Sequence, residues 1–381
     1  MPYDTLMKER ARTTTWFNNW VRRTFDVRIH VSHNDMDGLG CFVVEDVYRT
    51  LVLKKTAHGI IHAVTVSRPD EVNDTLVNKI TALENEGKLK PDQSIMILVT
   101  DLCPDPTVFK NLLGKGYDLT FCVIDHHQNH RGYDKIVAED LVLNPRGSYL
   151  IDTKECATKL ISRSMYAMFH CQLNATATEK ENALLTFVQA VDRFDTGNWG
   201  EWANLDAKDV DVSVKEQLIF ASYRRDEKEN YWVVERAGFI LDCCGLNDIT
   251  RWTDVVETEL KALMDEYRKF KDDMVNMSEH NVPLFTATIG GKQYAFADRT
   301  IDVHGVVVEN RPSIKNFSLI SRQILEEYPF IDILVVIDCN RNAVELRSGR
   351  NGPDVSKIAH FNGGGGHPRA AGFPLKIGGD M

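Results

Sequence analysis

The chain lacks several features that would place it early. Its 381 residues contain no run of 18 apolar residues, and the amino end has no hydrophobic leader core. A membrane helix and a secretory signal are therefore not expected, and the protein is read as cytoplasmic. Positive charge is scarce, with 45 Lys and Arg against 55 Asp and Glu for a net charge of −10. Proteins that grip long nucleic acid rely on phosphate contacts and counterion release, so no long-duplex partner is expected. None of the eight cysteines stands in Cys-x-x-Cys spacing. That leaves no thiolate metal framework and suits reduced, mostly buried thiols, such as Cys103, Cys122, Cys156, Cys171, Cys243, Cys244 and Cys339. Repeats and low-complexity tracts are also missing. With 26% charged and 43% apolar residues, the composition is that of a folded globular protein long enough for two domains.

What is present is a series of five short runs. They are His33-Asn34-Asp35-Met36-Asp37-Gly38, Thr100-Asp101, Asp125-His126-His127, Asp192-Arg193-Phe194-Asp195 and Gly363-Gly364-Gly365-Gly366-His367. Arg28 to Ser32, Ile95 to Val99 and Leu119 to Ile124 read as buried strands, each followed at once by an acidic or His-bearing turn. In an open parallel α/β sheet, ligands bind beyond the carboxyl ends of the strands, so the three turns are expected to face one crevice. A helix from Thr107 to Leu113 fits between Asp101 and Asp125. This makes one right-handed βαβ step and puts the two acids on neighbouring strand ends.

An aspartate-rich donor set with a few imidazoles suits Mn²⁺, with Mg²⁺ as the alternative. Two such cations roughly 3.5–4 Å apart can activate a water and clamp the oxygens of an in-line phosphoryl displacement. Taken singly, each acid reads as a helix cap or loop residue. The ordered set points to a two-metal phosphoesterase.

In the carboxy-terminal part, Gly363, Gly364, Gly365 and Gly366 follow a helix expected over Asp354 to His360. A glycine run is either a flexible turn or a backbone nest that approaches phosphate closely. With Arg347, Ser348, His367 and Arg369 nearby, phosphate or nucleotide binding is the preferred reading.

The order Asp-x-Asp, Asp, Asp-His-His, Asp and Gly-Gly-Gly-Gly-His resembles the DHH/DHHA1 phosphoesterases over residues 28 to about 200 and 282 to 381. The opening Ser-His-Asn-Asp-x-Asp-Gly is most similar to the nano-RNase B branch. The resemblance implies one metal held by His33, Asp35 and Asp101, and a second held by Asp37, Asp101, His126 and Asp192, with Asp101 as the bridge. His127 would face the scissile phosphate, and Asp125 would orient His126 or the attacking water. His33 also reads as a capping or substrate-facing imidazole, because it stands only two residues before Asp35.

The expected architecture is α/β in two lobes, a mainly parallel-sheet DHH domain (28–200) and a smaller α/β DHHA1 domain (282–381), joined by a helical connector (201–281). Residues 1–27 carry Trp16, Phe17 and Trp20 among basic residues and read as a packed helix or a basic arm. The expected activity is Mn²⁺-dependent exonucleolytic cleavage of very short RNA to mononucleotides. Alternatives are a pAp phosphatase, a phosphodiesterase for cyclic or linear dinucleotides, and an inactive nucleic-acid-binding scaffold. The implied partner is a short RNA or nucleotide substrate, and the sequence leaves a homodimer open.

Overall fold

The computed structural model describes residues 25–53, 60–66, 71–127, 147–169, 175–199, 202–203, 205–223, 253–277, 285–289, 292–296, 305–308, 316–329, 331–338 and 343–374. The expectations for residues 1–24 and for a turn at Gly290-Gly291 lie outside these. No described helix is long and apolar enough to cross a membrane. Two compact units are present. One comprises the described residues up to Trp199 together with Val212–Phe220, and the other comprises the remainder.

The first unit is built on five strands, β1 (Val27–His33), β2 (Ile60–Val66), β3 (Ser94–Thr100), β4 (Asp118–Asp125) and β5 (Gly147–Ile151), all parallel in the order β2-β1-β3-β4-β5. The chain turns one way from β1 to β2 and the other way from β3 onward. The crevice therefore opens where β1 and β3 meet. Helices α1 (Met36–Leu53), α2 (Val72–Asn85), α3 (Pro106–Gly114), α4 (Ala157–Phe169) and α5 (Ala175–Asp195) cover the sheet.

Strand periodicity divides the core in two. Ile95, Ile97 and Val99 of β3 and Leu119, Phe121 and Val123 of β4 face Leu76 and Ile80 of α2 and Phe109 and Leu112 of α3. The alternate residues Met96, Leu98, Cys122 and Ile124 face Leu39, Phe42 and Val43 of α1, with Leu160 of α4 and Phe187 of α5. Burial on both faces explains why these strands read as near-continuous apolar runs. Asp105 starts α3 by accepting from Thr107 N at 2.8 Å, with Pro106 in the first turn. Helix α6 (Val212–Tyr223) follows.

The second unit contains α7 (Thr253–Met277), a two-stranded hairpin of β6 (Phe285–Ile289) and β7 (Lys292–Phe296), and a five-stranded sheet. The sheet takes β8 (Gly305–Val308), β9 (Ile333–Asp338), β10 (Ala343–Ser348), β11 (Gly365–His367) and β12 (Ala370–Pro374) in the order β11-β12-β10-β9-β8. All its pairings are antiparallel except β8 with β9. Helices α8 (Phe317–Glu327) and α9 (Val355–Phe361) complete the unit, and Val355, Ile358 and Ala359 of α9 pack on Val344, Leu346 and Phe373 of the sheet. The α/β class and the parallel sheet of the first unit agree with expectation, and the mostly antiparallel pairing of the second sheet adds to it. Helix α7, read from the sequence as part of a connector, belongs to this second unit. Its Tyr267 hydroxyl donates to Glu327, and Lys271 Nζ lies 2.8 Å from Glu327 Oε2. Trp202 packs here too, donating to the Leu319 carbonyl while meeting Tyr267 edge-on.

Candidate metal centre

The turn after β1 is shaped by Asp35, which caps α1 by accepting from Gly38 N at 2.9 Å. A side chain at Gly38 would stand 2.2 Å from the His33 carbonyl oxygen, so only glycine lets the turn close this tightly. The second acid of the turn, Asp37, points across to α4 and accepts from Ala157 N and Thr158 N at 2.8 Å each. One short motif thus caps two helices and leaves both carboxylates at the strand ends.

Asp101 follows β3 with φ +57°, the left-handed region that a non-glycine residue seldom adopts. Its amide donates to the Ile124 carbonyl at 2.8 Å, which ties the turn to the end of β4. Such strain clusters at functional sites, where the surroundings hold it in place. Asp101 is 2% exposed. From β4 come Asp125, His126 and His127.

Three donor clusters result within this unit, each with ligating atoms within 4.8 Å of one another. They are His33, Asp35 and Asp101; Asp37, His126 and Asp195; and Asp101, Asp125 and His127. Within them His33 Nδ1 lies 2.6 Å from Asp35 Oδ2 and 3.8 Å from Asp101 Oδ2. His126 Nε2 lies 3.1 Å from Asp101 Oδ1 and 3.4 Å from Asp37 Oδ2, while its Nδ1 lies 3.6 Å from Asp195 Oδ2.

One expected role needs correction. Asp192, expected as a ligand, turns away from the cluster. Its Oδ2 sits 2.6 Å from Lys159 Nζ, and its Oδ1 accepts from Cys156 N at 3.0 Å, so it is neutralised at the start of α4. Asp195, one helical turn later, takes the place beside His126. Both acids lie in the same sequence run near the end of α5. Position on a linear sequence could not show which of them meets a lysine from another helix. Asp125, expected to orient His126 or the attacking water, hydrogen-bonds its Oδ1 to His127 Nδ1 at 2.8 Å.

The electrostatics suit a cation. Burial, then Asp35, Asp37, Asp195 and Asp125, push the Asp101 carboxyl well above the usual range. Burial raises Asp195 to about 7 even though His126 pulls the other way. Its Oδ2 is buried with no hydrogen bond among the described residues. Burial disfavours protonated His126, but Asp195 and Asp37 outweigh it and raise its pKa. Burial likewise opposes the charge on Asp35, which His33 and the Gly38 amide nevertheless hold low. Carboxylates this crowded resist sharing a site unless positive charge arrives. Hard oxygen donors with two or three imidazoles, and an orphaned buried oxygen, fit one or two divalent cations of the Mn²⁺ or Mg²⁺ kind.

In the second unit, the glycine run has a structural explanation. Gly363, at φ +81°, donates to the His360 carbonyl at 3.1 Å, and Gly364 donates to the Ala359 carbonyl at 2.8 Å. This is a Schellman termination of α9, and it consumes the two leading amides of the expected anion nest. A side chain at Gly364 would strike the Gly372 carbonyl at 2.0 Å. Gly365, Gly366 and His367 pair with Gly372, Ala371 and Ala370. The Arg347 guanidinium lies 4.8 Å from the centre of the Phe317 ring and 3.3 Å from Glu345 Oε2. Ser348 is buried, and its amide is already committed, donating to the Arg369 carbonyl at 2.9 Å. Phe361, which the sequence reading passed over, is 63% exposed at the end of α9.

No family model and no curated protein matches the sequence. Among solved structures, the chain is similar to an uncharacterized protein from Helicobacter pylori G27 (16% identity, covering 91% of this chain and 92% of that one, TM-score 0.40). It is also similar to RecJ in complex with Mn²⁺ from Thermus thermophilus (14%, 96% and 52%, TM-score 0.49) and to an exopolyphosphatase-related protein from Bacteroides fragilis (14%, 98% and 92%, TM-score 0.49). This chain spans about half the length of the Thermus RecJ chain. Likenesses this distant say nothing of the chemistry, which is read from the side chains.

Proposed function

We propose that the protein is a Mn²⁺-dependent phosphodiesterase that cleaves very short RNA to mononucleotides. The observation that carries this reading is the convergence of His33, Asp35, Asp37, Asp101, His126 and Asp195 on one sheet switch point, with Asp101 shared between donor clusters. His33, Asp35 and Asp101 would hold one cation, and Asp37, His126 and Asp195, with Asp101, the other. Bound there, the cations would supply neutralisation of phosphate charge and acidification of a water.

The remaining steps belong to the protein's own groups. Asp125 holds the His127 ring through Nδ1, so that Nε2 is presented to a phosphate oxygen. Asp101, fixed by its strained backbone, keeps its carboxylate between the two clusters. In the carboxy-terminal unit, taken by itself, His367 and Arg369 offer donors to a phosphate, and the exposed face of Phe361 offers a base a surface on which to stack. Such a face favours a nucleoside-bearing substrate over bare polyphosphate. The acidic balance favours short substrates, which need no basic track.

The test is a panel with Mn²⁺: RNA of two to about twenty-five nucleotides, matching DNA, pAp, cyclic dinucleotides and inorganic polyphosphate. Fastest turnover on RNA of two to five nucleotides is expected. A 24-mer degraded as fast as a dinucleotide, or polyphosphate as the preferred substrate, would sink the proposal.

A further inference from the structure

We infer that His30 is a positioning residue for Asp101, acting through a buried polar chain that holds the strained turn after β3; the role of Asp101 itself rests on the metal reading above. On the face of β1 turned toward α1, the core is interrupted by His30 and Ser32, both buried, opposite Glu45 of α1 and Thr100 of β3, also buried. His30 Nδ1 lies 2.6 Å from Glu45 Oε2, and its Nε2 lies 2.9 Å from Thr100 Oγ1. Thr100 Oγ1 donates to Ser32 Oγ at 2.7 Å, and Ser32 Oγ donates to the Thr100 carbonyl at 3.0 Å.

The donor count fixes the proton positions. A carbonyl can only accept, so the Ser32 hydroxyl proton is spent on Thr100 O, and Ser32 Oγ must accept from Thr100. With its own proton spent, Thr100 Oγ1 accepts from His30 Nε2–H. The short contact between Nδ1 and Glu45 then ties the other end of the chain to α1. Phe42 covers the imidazole with ring centres 4.1 Å apart, so the ring has one place to sit.

Apolar side chains of similar volume often pack as stably as a buried ionic network, so stability alone is a weak account of this one. Its terminus explains it better. Both Thr100 groups that it grips belong to the residue immediately before Asp101, whose φ is +57°. The opposite side of that turn is held by the Asp101 amide on the Ile124 carbonyl. The two anchors together keep the carboxylate aimed between the donor clusters.

The test uses full-length His30→Leu, Thr100→Val and His30→Gln, with Ile29→Val as a control that loosens the opposite face of the same strand. Hydrogen–deuterium exchange of the peptide spanning residues 98–103 is measured without metal, and Mn²⁺ affinity by calorimetry. His30→Leu and Thr100→Val are expected to exchange about tenfold faster there and to bind Mn²⁺ about 10–100-fold more weakly, as for other partners behind metal ligands. His30→Gln, whose amide can still donate to Thr100, should recover much of both. Should His30→Leu not fold, His30→Leu/Glu45→Met, which removes the Glu45 carboxylate together with its imidazole partner, gives the same readings. Unchanged exchange in the folded variants overturns the inference, and so does an equal effect in Ile29→Val at matched loss of Tm. A wild-type chain that binds no Mn²⁺ overturns the metal reading instead, while the exchange measurement still decides the positioning role.

Discussion

The strand ends of the first unit and the glycine turn of the second were both singled out by their sequences, yet they are satisfied in opposite ways. At the glycine turn the polar groups are used internally. Gly363 and Gly364 amides close α9, and Arg347 is occupied by Phe317 and Glu345. At the strand ends Asp101, Asp195 and Asp35 crowd together, a buried oxygen of Asp195 has no hydrogen bond among the described residues, and an aspartate occupies a strained conformation. A motif that meets its own needs is explained by folding, whereas one left with unmet needs calls for a ligand.

The largest effect that could break this contrast is expected from Asp101→Asn. Removing the shared charge should abolish cooperative Mn²⁺ binding and lower turnover to about a thousandth of wild type or less, the scale of losing a principal stabiliser of transition-state charge. Elemental analysis with initial rates checks it, and near-native activity would end the two-metal reading.

Next comes the pair Asp195→Asn and Asp192→Asn. The first should weaken Mn²⁺ binding by about 10–100-fold, taking the scale seen for groups that tune a bound metal as a lower bound. The second should keep Mn²⁺ and cost about 1 kcal/mol or less, since it removes a partly exposed pair and one helix-cap bond. Calorimetric titration beside thermal melts separates them, and the reverse ranking would restore Asp192 as the ligand.

The third prediction concerns pH. Asp195 is raised to about 7 in the folded chain against 3.8 for the free group, and Asp101 and His126 are also raised. The metal-free folded state therefore binds more protons than the unfolded one between about pH 4 and 7. Stability should fall as pH rises through that window. Saturating Mn²⁺ should cancel or reverse the slope, because the cation takes the place of the protons. Melting curves at pH 4.5, 6 and 7.5, with metal and with chelator, decide it; metal-free stability that rises over this range would contradict the electrostatic account.

The smallest effects lie at the glycine turn. Gly363→Ala should cost about 1 kcal/mol, because φ is positive there, and leave Mn²⁺ affinity unchanged. Phe361→Ala should leave Tm nearly unchanged yet raise KM for a dinucleotide about tenfold, the lower end for loss of base stacking. Equal kinetics on a dinucleotide and on its abasic counterpart would remove the stacking role.

Much of this arrangement was legible beforehand. β1, β3 and β4 were read within a residue or two, because burial on both faces leaves a continuous apolar signature. The turns that end them were legible as an ordered set, although each acid taken singly reads as a helix cap, a use that Asp35 and Asp37 do have. β2 (Ile60–Val66) was missed, its apolar residues being interleaved with His62 and Thr65, and α2 and α8 went unread. Asp195 could not be told from Asp192, because the choice depends on Lys159 of another helix, a partner that no local pattern announces. The glycine run misled for a related reason. Amides free in a sequence were already committed in the fold, to carbonyls of α9 that only its termination exposes. His30 reads from the sequence as a strand residue and nothing more, since its meaning lies in Glu45 and Thr100.

The order in which the donors leave the ribosome has its own consequence. His33, Asp35 and Asp37 emerge first, Asp101 and His126 much later, and Asp195 only at the end of α5. A nascent chain therefore carries a growing number of like charges until about half of its 381 residues have been made, without the residue that closes the set. Long-range parallel pairing is also slow to form. The site is in this sense completed only after every strand of its sheet has been made, and a divalent cation available at that moment would bind and stabilise the folded unit as soon as it forms.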